Sequence, residues 1–63
     1  MSLELQVRHQ NVAIGTVFLD DKGKVYEHEF SCTGMSWSGA ETIEEAVEHI
    51  VSEYLLWKRN HHE

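Results

Sequence analysis

Leu3, Leu5 and Val7 alternate with Glu4, Gln6 and Arg8, a period of two that predicts a half-buried strand over 3–8. Gln10-Asn11 break the pattern. A second apolar run, Val12 to Leu19, is rich in β-branched residues and predicts a strand over 12–19 with Gly15 in its interior. Asp20-Asp21-Lys22-Gly23 reads as a hairpin turn, with Gly23 at the positive-φ position and the aspartates accepting local backbone hydrogen bonds. A third strand is expected over 24–32, with Tyr26, His28, Phe30 and Cys32 facing one way and Val25, Glu27, Glu29 and Ser31 the other. The stretch 33–41 has two glycines, Met35, Trp37 and no period, and is read as a loop.

The helix that follows carries the clearest local signal. Thr42-Ile43-Glu44-Glu45 is a capping box: the Thr42 hydroxyl accepts from the Glu45 amide, and the Glu45 carboxylate reaches back to the Thr42 amide. At about 100° per residue, Ile43, Ala46, Val47, Ile50, Val51, Tyr54 and Trp57 form one apolar stripe over a helix at 42–58. Glu44, Glu45, Glu48, His49 and Ser52 fall on the solvated side. Leu55 lies at the margin of the stripe and Leu56 outside it. The expected fold is α+β: a three-stranded antiparallel β-meander packed in two layers on one C-terminal α-helix, as a single small domain over 1–63.

This layering raises a problem of coverage. One helix shields one face of a sheet, yet the second strand is apolar on both sides: Val12, Ile14 and Phe18 on one, Ala13, Val17 and Leu19 on the other. Either these are the scattered apolar residues of an ordinary surface, or they meet another chain. At 63 residues the chain buries only about 60% of its unfolded surface, and domains this small gain stability by oligomerising. A homodimer is therefore expected, with Leu55 and Leu56 at a self-association or partner surface. Trp37, in a Gly/Ser loop, either plugs the end of the core or anchors a partner.

Charge narrows the class of partner. Five Lys+Arg against eleven Asp+Glu give −6. That weighs against nucleic acid or an anionic membrane and favours a basic protein partner. Six of the acids and two of the bases lie in 41–63, where much of the acidity first serves the helix N-terminus. No run approaches the roughly 18 apolar residues of a membrane span. Met1-Ser2-Leu3-Glu4-Leu5 lacks an export pattern, and the single Cys32 fits a reducing cytoplasm. The terminal His61-His62-Glu63 is expected to fray.

Candidate chemistry is sparse. None of the five histidines has helical ligand spacing, and His28 and Cys32 lie roughly 13 Å apart along an extended strand. His28 is expected to be partly buried against a neighbour, and Cys32 to be a buried structural thiol. The hydroxyls of 31–38 precede a helix but lack a phosphate-loop lysine, and Glu41, Glu44 and Glu45 would repel phosphate. A domain this small leaves little room for a 300 Å³-class pocket. No enzymatic activity, cofactor or metal is expected. A nucleic-acid-binding β3α domain, with Arg8, Lys22 and Lys24 as a basic strip, and a small metal-binding or hydrolytic protein stand as alternatives.

The turn Asp20-Asp21-Lys22-Gly23, then Tyr26, Phe30, Gly34 and Gly39, and the helix start Thr42-Ile43-Glu44-Glu45-Ala46 together resemble HicB-like antitoxins. The chain departs from that pattern in having no proline before the loop and an extra residue between Gly39 and Thr42. The stretch 41–46, with Glu48 and Tyr54, is also similar to the helix of the small RNA-polymerase inhibitor of T7-type phages. Both resemblances imply an acidic protein that acts by binding a protein partner, as an antitoxin or as an inhibitor. No residue is carried over as functional from either. The resulting expectation is a small acidic cytoplasmic protein-interaction module, with Trp37, Glu44, Glu45, Glu48, Leu55 and Leu56 as its partner-binding residues.

Overall fold

A computed structural model describes residues 3–61. Met1, Ser2, His62 and Glu63 lie outside the described residues, and with them most of the expected frayed tail. The chain forms strands β1 (Leu3–His9), β2 (Val12–Leu19), β3 (Val25–Phe30) and β4 (Met35–Trp37), then helix α1 (Ile43–Asn60). The sheet is antiparallel in the order β1-β2-β3-β4, with the helix packed on one face. The α+β, two-layer class is as the pattern predicts. The strand number is not, because the presumed loop contains β4. Its three residues pair with the end of β3, placing Trp37 opposite His28 and Met35 opposite Phe30.

Local chemistry accounts for the turns. Gln10 and Asn11 take positive φ (51° and 68°), the backbone of a two-residue hairpin whose twist matches that of the strands. In the β2–β3 turn, Asp20 Oδ1 accepts from the amides of Lys22 and Lys24, each at 2.9 Å. Those backbone hydrogen bonds, Lys24's foremost, hold the Asp20 carboxyl below its usual range. The third strand ends earlier than expected. Residues 31–34 turn, with the Gly34 amide donating to the Phe30 carbonyl at 2.9 Å. Cys32 therefore sits in a turn and is exposed, not buried in the core.

Two bulges resolve the coverage problem. Between Val7↔Gly15 and Arg8↔Ala13 the second strand carries an extra residue, Ile14. A bulge turns its extra side chain out of the alternation. Ile14 thereby joins Val17 and Leu19 in the core, although strict alternation puts it on the other face. Between Phe18↔Glu27 and Leu19↔Val25 the extra residue is Tyr26. Tyr26 leaves the helix-facing row, where alternation had placed it, and is exposed with its ring 6.2 Å from Phe18. The register then gives the open face Glu4, Gln6, Arg8, Thr16, Phe18, Glu27, Glu29 and Ser36, a mostly polar surface.

The core comprises Val7, Ile14, Val17, Leu19 and Phe30 from the sheet with Ala46, Ile50 and Tyr54 from the helix. Gly15 lies at its centre, beneath Ile50. The helix covers β2 and β3 and reaches β1 only weakly. Leu3 and Leu5 are on the helix-facing side by register, yet are 60% and 38% exposed. The helix N-terminus is capped as predicted: Thr42 Oγ1 accepts from the Glu45 amide at 3.0 Å. The reciprocal bond differs, since Glu45 Oε1 accepts from the Glu41 amide at 2.7 Å, not from Thr42. At the other end the helix continues two residues past the expected stop. His61 stacks on Trp57, and its amide donates to the Lys58 carbonyl at 3.3 Å.

Candidate functional site

Two features stand apart from the packed core: a histidine–tryptophan cleft at one end of the helix, and the outer face of the helix itself. The cleft begins with the β3–β4 pairing. Because Trp37 is opposite His28 and both face the helix, their rings lie 5.5 Å apart beneath the first turns of α1. His49 descends from the helix onto them, 4.4 Å from Trp37 and 5.0 Å from His28. The sequence pattern had placed His49 on the solvated side. Its ring instead bends over the sheet and is half-buried. The three rings, with Ser38, Gly39, Ala40 and Glu45, line an open cleft of about 320 Å³, larger than the chain's size had suggested.

His28 is 3% exposed, and its Nε2 lies 2.8 Å from Nδ1 of His49. The Nε2 of His49 lies 3.6 Å from a Glu53 carboxylate oxygen. That carboxylate favours a proton on His49 Nε2, leaving Nδ1 to accept from His28 Nε2–H. The assignment leaves His28 Nδ1 buried without a partner. Burial, and then the nearby His49, push the His28 pKa below 6.5, while Glu27 and Glu45 oppose that shift. His28 is paired with a neighbour as expected, but it is fully buried where partial burial was expected. Glu53, His49 and His28 form a chain of titratable groups, and the hydroxyl of Ser38 is among the groups lining the same cleft. Among the described residues no group of three or more His, Cys, Asp or Glu is placed to hold a metal ion.

The expected partner-binding residues separate in the structure. Trp37 is half-buried, packs on the core and lines the cleft. Glu45 is engaged by the Glu41 amide and lines the cleft. Glu44 and Glu48 are exposed on the helix. Leu55 and Leu56 stay helical and are 48% and 50% exposed. At about 100° per residue, all four project from the half of the helix opposite Ile50. That outer face runs from acid at the N-terminal end, through the leucine pair, to Arg59 at the last turn.

The cations needed for a nucleic-acid strip are not together. Arg8 lies at the β1–β2 hairpin end of the sheet, while Lys22 and Lys24 lie in the β2–β3 turn beside Leu19, whose partner on β1 is Leu3. Glu4 and Glu27 flank Phe18 on the open face between them. Among the described residues no helix is long and apolar enough to cross a membrane. The His28–His49 pairing was not legible beforehand, because it joins residues from a strand and a helix whose faces only the bulged register fixes. Comparison with protein-family models, with curated proteins and with solved structures finds no match for this chain.

Proposed function

We propose that the chain is a small acidic protein-interaction module of the cytoplasm that docks on another protein through the outer face of α1. The observation that carries this reading is the pair Leu55 and Leu56, adjacent, half-exposed and set in a helix that stays regular to Asn60. Two large apolar side chains on the solvent side of a helix lie outside this chain's own core cluster, and apolar anchors beside charge are the usual anatomy of an interface. Glu44 and Glu48 supply the charge, steering a partner with a basic patch toward the leucines. The antitoxin or inhibitor mode implied by the sequence resemblances is one form of this activity. The −6 net charge and the acidic open face support a protein partner over nucleic acid.

The test is capture from the native cell extract with three baits compared side by side: wild type, Leu55→Ser/Leu56→Ser, and Glu44→Gln/Glu48→Gln. Circular dichroism first establishes that all three fold. A specific partner should be retained by the wild type, lost with the leucine variant, and retained more weakly by the neutralised variant and at high salt. Equal recovery of the same proteins by all three baits refutes the assignment.

A further inference from the structure

We infer that β1 is a homodimerisation strand, pairing antiparallel with β1 of a second copy in the register centred on Gln6. This surface is separate from the outer helix face. The first ground is the edge itself. β4, at one side of the sheet, is three residues long, a common way to blunt an edge, whereas β1 presents a seven-residue edge with no proline.

The second ground is what self-pairing does to the side chains. An antiparallel pair centred on Gln6 overlaps all seven residues of Leu3–His9 and sets Gln6 opposite the partner's Gln6. Glu4 then lies opposite the partner's Arg8, and Arg8 opposite the partner's Glu4, both on the open face. On the helix-facing side Leu5 meets the partner's Val7 and Leu3 meets the partner's His9. Within one chain Glu4 and Arg8 are roughly 13 Å apart along the strand and cannot pair. Directly opposite residues in an antiparallel ladder are close enough to do so. Sliding the register by two residues in either direction loses both charge pairs and shortens the overlap. Full overlap, opposite charges and apolar contact therefore select the same register.

The third ground is the apolar surface the helix leaves uncovered. Leu3 and Leu5 face the helix side but are not roofed by it. Antiparallel pairing in one sheet places both helices on the same side, with Leu3, Leu5 and Val7 of both copies between them. The joined sheet ends at both sides in the short β4. A foreign strand satisfies the edge's backbone groups equally well, but self-pairing satisfies the two charges and the leucines twice over by symmetry.

The experiment uses the full chain with Cys32→Ser as background. Sedimentation at high micromolar concentration should give a mass near twice 7.3 kDa. Glu4→Arg and Arg8→Glu should each weaken the dimer at least tenfold, and combining them should restore it. Gln6→Cys should form an intermolecular disulfide under mild oxidation, because residues opposite across such a ladder fall within disulfide reach. Glu29→Cys, inside the sheet on β3, should not. All of these positions lie on the open face, so folding is retained and checked by circular dichroism. A protein that stays monomeric overturns the inference. So does a dimer that is indifferent to both charge reversals and forms no cross-link through position 6.

Discussion

Gly15 is the position where one added methyl group tests the packing most directly. It lies in the second strand, paired to Val7 on one side and Phe30 on the other, directly beneath Ile50. Its φ is not positive, so only space demands glycine here. A Cβ built on Gly15 meets the Glu29 carbonyl oxygen closer than real contacts allow, and Ile50 Cγ2 at 2.7 Å. Ordinary contact begins at 3.4 Å, so Ile50 must retreat by about 0.7 Å, and the carbonyl is held by the ladder. Gly15→Ala gains about 0.4–1 kcal/mol by restricting the unfolded chain. Overpacking of this kind costs about 1–3 kcal/mol, and the pinned carbonyl puts this site at the upper end. The net expectation is a loss of about 2 kcal/mol. Against a total of roughly 3–9 kcal/mol for 63 residues, that is a large fraction. Urea denaturation followed by circular dichroism should show it, with a fall in melting temperature of about 8–16 °C. In an Ile50→Ala background the same substitution should cost less, since the helix side of the clash has gone. A Gly15→Ala protein as stable as the wild type refutes the reasoning, for it would mean the helix rides over the sheet with slack.

Two further predictions concern the helix cap and the buried histidine. Thr42→Ala removes the acceptor for the Glu45 amide and should lower stability by about 1 kcal/mol, with Thr42→Ser restoring most of it; a urea midpoint unmoved by Thr42→Ala contradicts the cap. For His28 the sign follows from its lowered pKa, because the unfolded chain takes up a proton near pH 6.5 before the folded chain does. Stability is therefore lost as pH falls below about 6.5, by at most about 1.4 kcal/mol per pH unit, and levels off below the folded-state value. His28→Gln, which keeps a donor for His49 Nδ1, should flatten the profile between about pH 7 and 5. Identical pH slopes for wild type and His28→Gln rule out His28 as the source.

The elements written in local chemistry were readable from the sequence, and the features set by pairing were not. The Asp20 turn, the Thr42 cap and the stripe from Ala46 to Trp57 each depend on neighbours within a few residues, and each is found where the pattern puts it, although Ile43, expected to open the stripe, is exposed. β4 escaped notice because three residues are too few for a period, and Met35 and Trp37 acquire a face only by pairing with Phe30 and His28. The bulges at Ile14 and Tyr26 are register events between strands, and strict alternation carries the wrong face through each of them. The same limit hid the cleft. His49 looks solvated when the helix is read alone, and becomes half-buried only because β4 brings Trp37 beneath it.

These corrections move the uncovered apolar surface without removing it. Alternation left one apolar set of the second strand, Val12, Ile14 and Phe18, without a cover, and the bulge at Ile14 draws that residue into the core. Leu3, Leu5, Leu55 and Leu56 are among the large apolar residues that remain exposed. Ile50 of the helix seats directly over Gly15, where no side chain intervenes, and a helix seated there covers β2 and β3 more than β1. Leu3 and Leu5 are left open by that seat. Leu55 and Leu56 are open for a different reason, since they sit on the far side of the helix, where no displacement along the sheet would bury them. The two pairs therefore call for two different covers: an extension of the sheet for the first, and a docked partner for the second.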